Sequence, residues 1–261
     1  MNKLVIRDHA DNGICTLTLD SEHNRNALSK RMLKVLLSEI HHASENPHVR
    51  VIVVAAKGSA FCAGHDLREI ERHRDDSDQG MQFYKDLMAL CSKTMQAIVD
   101  ARKPVIAKVD GIATAAGCQL VASCDLAYAS ERSKFSTPGV HIGLFCSTPM
   151  VALSRNVATK HAMEMLLTGD LLPADNAERI GLINRSVPAS ELDRTIQEVV
   201  EKIASKSGHT LKLGKHAFYE QQPMNLQDAY AFASEVMVTN LLAQDAREGI
   251  NAFLEKRTPH W

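Results

Sequence analysis

The sequence predicts an α/β fold in which strands and helices alternate to about residue 140, with a mainly helical part after it. Three observations carry this. Two all-apolar runs, Val51-Ile52-Val53-Val54-Ala55 and Val105-Ile106-Ala107-Lys108-Val109, have the length and β-branched content of strands covered on both faces. A long helix-period pattern over residues 81–99 lies between them, making a βαβ unit. Beyond residue 140 one segment after another reads as helix.

In chain order, residues 4–7 and the alternating Ile14-Cys15-Thr16-Leu17-Thr18-Leu19 read as strands, and Asp11-Asn12-Gly13 between them reads as a hairpin-type turn. Ser29 is placed to cap a helix over residues 30–44, whose apolar stripe is Met32, Val35, Leu36, Ile40 and Ala43 and which Pro47 stops. After the βαβ unit come a short helix at residues 117–123 and a strand at 126–129. Helices are then predicted over 149–157, 161–167, 174–179, 190–206, 211–221 and 226–255. A strand at 183–187 interrupts them, with Ser190 as an N-cap and Gly181 as a stop.

At 261 residues the chain can bury a full core. Lys and Arg (30) balance Asp and Glu (31) and are spread along the chain, so no nucleic-acid or anionic-membrane footprint is present, and no run approaches a membrane span. The six cysteines show neither a C-x-x-C pair nor a zinc spacing and read as reduced, core-filling residues; no metal, flavin or nicotinamide motif occurs. The first eight residues hold an apolar run of only three, Leu4-Val5-Ile6, before charge returns, too short for a signal-peptide core, and the expectation is a cytoplasmic protein of bacterial type.

Two Gly/Ala-rich elbows hold the chemistry. Lys57-Gly58-Ser59-Ala60-Phe61-Cys62-Ala63-Gly64-His65-Asp66-Leu67 and Asp110-Gly111-Ile112-Ala113-Thr114-Ala115-Ala116-Gly117-Cys118-Gln119-Leu120 each leave an apolar strand through small residues and enter a helix. Small side chains let a ligand approach the main chain, and the first N–H groups of a helix lack internal partners. Two such starts side by side would polarise a carbonyl; tight packing alone would also account for either one.

Phe61-Cys62-Ala63-Gly64-His65-Asp66-Leu67 and Lys103-Pro104-Val105-Ile106-Ala107-Lys108-Val109-Asp110-Gly111 strongly resemble the two signature segments of the enoyl-CoA hydratase/isomerase (crotonase) superfamily. The resemblance extends over nearly the whole chain, from Asn24-Arg25-Asn26-Ala27-Leu28-Ser29 to the end, and is nearest to the enoyl-CoA hydratase domain-containing proteins that lack the two catalytic glutamates. It implies a ββα spiral core over residues 1–200 that binds acyl-CoA, and a helical trimerisation region over 201–261, giving a homotrimer or a dimer of trimers.

The resemblance also implies roles residue by residue. The backbone oxyanion donors fall on His65 and Ala116, with alanine where the family has glycine. Contacts to coenzyme A, present as part of the thioester substrate rather than as a resident cofactor, fall on Arg25, Ala27, Ala63, His65, Asp66 and Leu67. Lys256 matches a lysine that reaches the nucleotide of a neighbouring subunit's CoA, and Met237 stands where some relatives place an aromatic residue. The two hydratase glutamates fall on Gln119 and Gly139, and a third acidic position falls near Ser147.

Hydration needs a base for water at C3 and an acid at C2, and neither Gln119 nor Gly139 carries a titratable proton. His141, two residues beyond Gly139, is a speculative substitute, set against a histidine merely packed beside the pocket. Asp66 is read as a helix cap before a catalytic group, and the ring of His65 as structural before substrate-facing. Cys118 and Cys146 lack any visible activating base. Three functions follow: a family enzyme of lyase type in fatty-acid metabolism with atypical or weak hydratase activity, a decarboxylase or thioesterase on an acyl-CoA, and a non-catalytic CoA-ester-binding scaffold or regulator.

Overall fold

The structure, a computed structural model, describes residues 3–10 and 12–261. Strands β1 (Val5–His9) and β2 (Ile14–Leu19) pair antiparallel, and Asp11 of the turn expected between them lies outside the described residues. Helix α1 (Lys30–Glu45) begins as the sequence requires, with the Ser29 hydroxyl accepting from the Met32 N–H at 3.1 Å. Its buried face is Met32, Leu33, Leu36, Ile40 and Ala43, with Val35 half-buried beside them.

Each turn of the following chain gives one strand to each of two sheets before entering a helix. β3 (Val51–Ala56) is followed by β4 (Ala60–Cys62), then α2 (Leu67–Arg72) and α3 (Met81–Val99). β5 (Val105–Val109) is followed by β6 (Ile112–Thr114) and α4 (Ala116–Ser123). β7 (Leu126–Ser130) is followed by β8 (Lys134–Ser136), a 3₁₀ turn at Pro138–Ile142, α5 (Ser147–Asn156) and α6 (Thr159–Thr168). This repeat is the spiral that the resemblance implied.

β9 (Leu172–Pro173), α7 (Ala174–Arg179) and β10 (Arg185–Val187) complete the sheets. The larger runs β1-β2-β3-β5-β7-β10 and is parallel from β2 onward; the smaller runs β4-β6-β8-β9, with only β9 antiparallel. The smaller sheet was not foreseen, because strands of two or three residues carry no period to detect.

Both faces of the larger sheet are covered, as the all-apolar runs demanded. Leu17, Leu19, Ile52, Val54, Val105 and Ala107 point into the main core with Leu28, Leu36, Phe61, Leu87 and Phe135. Ile14, Val51, Val53, Ile106 and Tyr128 point the other way, onto Leu192, Ile196 and Val200 of α8 (Leu192–Ala204).

The C-terminal part is α9 (Gly208–Gln221), α10 (Leu226–Leu241) and α11 (Gln244–Leu254). Three expectations are corrected here. The single helix over 226–255 breaks at Leu242 and Ala243, where Ala243 takes an extended conformation before α11. Ser190 caps nothing, because a 3₁₀ turn at Ala189–Glu191 feeds directly into α8. The strand at 183–187 is confined to Arg185–Val187, since the Ile183 N–H turns back to the Ala177 carbonyl and the Ala127 N–H of β7 is taken by the Asn184 side chain instead of a backbone carbonyl.

Lys215 ties α9 to the core: its ammonium donates to the Ile98 and Lys103 carbonyls and to the Asp125 carboxylate at 2.7 Å. Asp125 also accepts from the Val105 N–H and the Tyr219 hydroxyl. Among the described residues no helix is long and apolar enough to cross a membrane.

Candidate functional site

The two elbows come together because β4 and β6 are parallel neighbours, so both chains leave the smaller sheet at the same edge. After β4 the chain turns through Ala63 and Gly64 (φ 89°) to His65, and Asp66 starts α2 by accepting from the Arg68 and Glu69 N–H groups at 3.0 and 3.3 Å. Asp66 is therefore a cap. After β6 the chain turns at Ala115 and enters α4 at Ala116.

Gly64 and Gly117 set how closely these segments approach. A β-carbon on Gly64 would stand 2.8 Å from the Ala115 β-carbon, 3.0 Å from the Thr114 carbonyl oxygen and 3.3 Å from the Ala116 nitrogen. One on Gly117 would run into the Cys62 carbonyl. Ala115 itself has φ 50° and ψ −120°, a conformation costly for any residue with a β-carbon, of order 1–3 kcal/mol. The Ala115 N–H donates to the Ser136 carbonyl at 2.9 Å and the Thr114 hydroxyl to the Ala63 carbonyl at 3.1 Å, which holds the strained turn in place.

The outcome is a pair of free donors. Ala116 is the first residue of its helix, so its N–H has no partner within α4, and among the described residues neither it nor the His65 N–H meets an acceptor.

A third segment is laced to the first elbow. The Arg25 carbonyl accepts from the Ala63 N–H at 3.0 Å, and the Leu28 N–H donates to the Gly64 carbonyl at 2.7 Å. This places Arg25 and Ala27 beside residues 63–65. Arg25 and Asn26 reach that path through left-handed backbone conformations (φ 56° and 55°). The fully buried Asn26 side chain secures it, accepting from the Ser21 N–H and donating to the Lys57 and Ala60 carbonyls at 2.8 and 2.9 Å. Sequence reasoning quoted Asn26 only as part of a motif; two left-handed residues in succession left no signal in the residue types.

The His65 ring is fixed by the same loop. Its Nδ1 lies 3.2 Å from the Leu28 carbonyl oxygen, which can only accept, so Nδ1 holds the proton and Nε2 is left with a lone pair. Nε2 is buried and meets no partner. Burial holds the ring's pKa below the usual imidazole range, against the smaller opposing effects of the Leu28 carbonyl and the Glu69 carboxylate.

Gln119, on α4, is buried, with its side-chain oxygen 3.9 Å from the Cys91 thiol. Gly139 is also buried, inside the 3₁₀ turn, and a β-carbon there would stand 2.8 Å from the Leu144 carbonyl oxygen and 3.0 Å from the Cys146 sulfur. The space in which a side chain at position 139 would begin is thus filled by the segment leading into α5.

His141 is corrected. Its ring is exposed rather than packed in the site, and its Nε2 is engaged 2.8 Å from the Thr168 carbonyl at the end of α6. Lys256 is exposed just after α11 and forms no ion pair among the described residues. All six cysteines are buried and free, and burial pushes the thiols of Cys62, Cys91 and Cys118 up to about 12, the reverse of nucleophile activation.

The profile of the enoyl-CoA hydratase/isomerase family matches residues 9–261. The chain belongs to this family. It is 47% identical over 249 residues to mitochondrial enoyl-CoA hydratase domain-containing protein 3 of Mus musculus, an alignment covering 95% of this chain and 81% of the relative. Among solved structures, an enoyl-CoA hydratase of Mycobacterium smegmatis superposes with a TM-score of 0.95 at 46% identity, covering 100% of this chain and 99% of the other. The human enoyl coenzyme A hydratase domain-containing protein 3 gives 0.94 at 46% identity, covering 99% and 100%.

These relatives overturn the cytoplasmic expectation, since the vertebrate proteins at 43–47% identity are named mitochondrial. Reduced cysteines and near-neutral charge are shared by reducing compartments and do not tell one from another.

Proposed function

We propose that the protein binds an acyl-CoA thioester with its carbonyl oxygen held between the N–H groups of His65 and Ala116, so that negative charge developing on that oxygen is stabilised as an enolate. The observation that carries this reading is the pair of acceptor-free N–H groups on adjacent elbows, kept close by the missing β-carbon of Gly64. Removing one such donor costs other enzymes about 2.7–4 kcal/mol of transition-state stabilisation, and the alanine at position 116 keeps its N–H. The CoA portion runs along Arg25, Ala27, Ala63, Asp66 and Leu67, and Lys256 serves a neighbouring subunit in a homotrimer or a dimer of trimers. The exposed Leu226, Tyr230, Phe253 and Leu254 support that assembly.

Hydration is weak or atypical in this reading, because Gln119 and Gly139 stand where the hydratases carry their glutamates. General acid–base help is worth about 10²- to 10⁴-fold per group. Decarboxylation or thioester hydrolysis, which lean on the carbonyl clamp and need fewer protein acids, gains support from Leu144 and Cys146 closing over Gly139. A CoA-ester-binding scaffold with no turnover keeps the same clamp.

Following crotonyl-CoA by its enoyl absorbance, alongside binding of butyryl-CoA by calorimetry, tests this. Butyryl-CoA binding with slow crotonyl-CoA hydration is expected; turnover as fast as a glutamate-bearing hydratase would overturn the reading of the acids, and no ester binding would overturn the clamp.

A further inference from the structure

The elbows lie beyond the C-terminal ends of β3 and β5, and a cluster of cations lies at the opposite ends of the same two strands. Arg50 precedes β3, while Arg102 and Lys103 precede β5, its parallel neighbour. The Ile52 N–H donates to the Pro104 carbonyl at 2.9 Å and the Lys215 ammonium of α9 to the Lys103 carbonyl at 3.1 Å, which brings Lys103 beside Arg50 and beside Lys212, one helical turn before Lys215. Carboxylates leave most of this charge unbalanced. Arg102 pairs with Glu45 at 2.9 Å and Lys215 with Asp125 at 2.7 Å, but among the described residues Arg50 bonds to the Ala204 and Lys206 carbonyls instead, and neither Lys103 nor Lys212 has a carboxylate partner. Lys103 is half-buried, yet its ammonium is not enclosed and donates to no group among the described residues.

From this cluster we propose that Lys103 is an acylation site: its side-chain amine takes the acyl group of an acyl-CoA, giving an amide and free CoA thiol. The step balances without a further reagent. The amine nitrogen attacks the thioester carbonyl carbon, the N–C bond forms as the C–S bond breaks, and the sulfur leaves with the proton that the nitrogen gives up. Only an unprotonated lysine can attack. Burial first, then the charges of Arg50, Lys212 and Arg102, holds the Lys103 ammonium below the usual lysine range, with Glu45 opposing them, so the free amine is more populated here than on a solvated lysine at the same pH. The same cations draw the reagent, because coenzyme A is an anion through its phosphates. Acylation then removes one charge from a crowded group of like charges. This site goes beyond the carbonyl clamp and does not rest on it, since the two lie at opposite ends of β3 and β5.

The test is incubation of the full-length protein with acetyl-CoA at about pH 8, where solvated lysines are still mostly protonated, followed by peptide mass spectrometry of acetyl occupancy at each lysine against time. Lys103 is expected to be acetylated severalfold faster than Lys85 and Lys160, which are exposed and lie outside the cluster. In Lys212→Gln, which removes an exposed cation, the Lys103 rate is expected to fall about two- to fivefold, the size of one exposed charge contact, with Lys85 and Lys160 unchanged. Sodium chloride at about 0.5 M, which screens the cluster in the wild type and so needs no variant to fold, is expected to bring the Lys103 rate down toward that of the other two. Acetylation of Lys103 no faster than of Lys85 and Lys160 would overturn the proposal. So would a Lys103 rate that neither Lys212→Gln nor salt reduces, because the cluster would then play no part. The state of the carbonyl clamp is read separately, from butyryl-CoA binding.

Discussion

At the scale of single residues, the site depends on groups left without partners by their position in the chain. The Ala116 N–H is free because it opens a helix; the His65 Nε2 is free because the Leu28 carbonyl takes the other nitrogen. The buried ring has a consequence for pH. Its folded pKa is lowered, so the unfolded chain binds the proton more tightly, and stability is fully present above the unfolded value of about 6.5 and lost as pH falls toward the folded value. Urea midpoints measured between pH 7.5 and 5.5 are expected to fall, with a part of that slope missing in His65→Phe. Identical slopes would show that the ring is not buried in its neutral form. Asp66 and the six thiols were readable from residue type through the plain structural alternatives of cap and core; His141 was not, since the alternative weighed for it was packing beside the pocket and its ring is exposed. The Nε2 orphan was not, because no residue pattern states which carbonyl a ring will meet.

At the scale of elements, two turns hold opposite kinds of constraint. The turn into α4 is strained at Ala115, and a glycine there adopts φ 50° without the clash. Ala115→Gly is expected to raise stability by about 1 kcal/mol in chemical denaturation, within the 1–3 kcal/mol stored at such sites; a loss of stability would mean that the β-carbon contact with the first elbow outweighs the strain. The turn at Gly139 is instead filled. A Gly139→Glu substitution must push aside the Leu144 backbone and the Cys146 sulfur, at a cost of about 1–3 kcal/mol. A shifted melting temperature measures this, and an unchanged one would mean that the segment before α5 yields freely. Restoring the hydratase glutamates is therefore a change of loop as well as of side chain. The strands β3, β5 and β7 and the long helix α3 were legible because five to nineteen residues carry one pattern; β4, β6, β8 and β9, which build the elbows' sheet, have too few residues to do so. The elbows themselves were found through their glycines and alanines, the one local signal that close backbone approach leaves.

For the whole molecule, the alternation of one strand in each sheet stacks the elbows at a common edge, and α9 of the helical C-terminal part is tied to that core by a buried ion pair with its hydrogen bonds. Lys215 and Asp125 keep only 8% and 17% of their side-chain surface exposed, and every ammonium proton has an acceptor. Lys215→Met leaves Asp125 charged and half-paired beneath α9, and is expected to cost about 3–5 kcal/mol in unfolding free energy. A cost below about 1 kcal/mol would show that apolar packing alone holds α9. The composition carried no information on this joint, which links residues 90 positions apart.

The central claim is the grip of two amides on one carbonyl, and the vibration of that carbonyl reports it most directly. With butyryl-CoA labelled with ¹³C at the thioester carbon, isotope-edited infrared difference spectra of the bound ester are expected to show the carbonyl stretch shifted to lower frequency than in water. A bound ester whose carbonyl stretch stays at, or rises above, its value in water would contradict the clamp of His65 and Ala116.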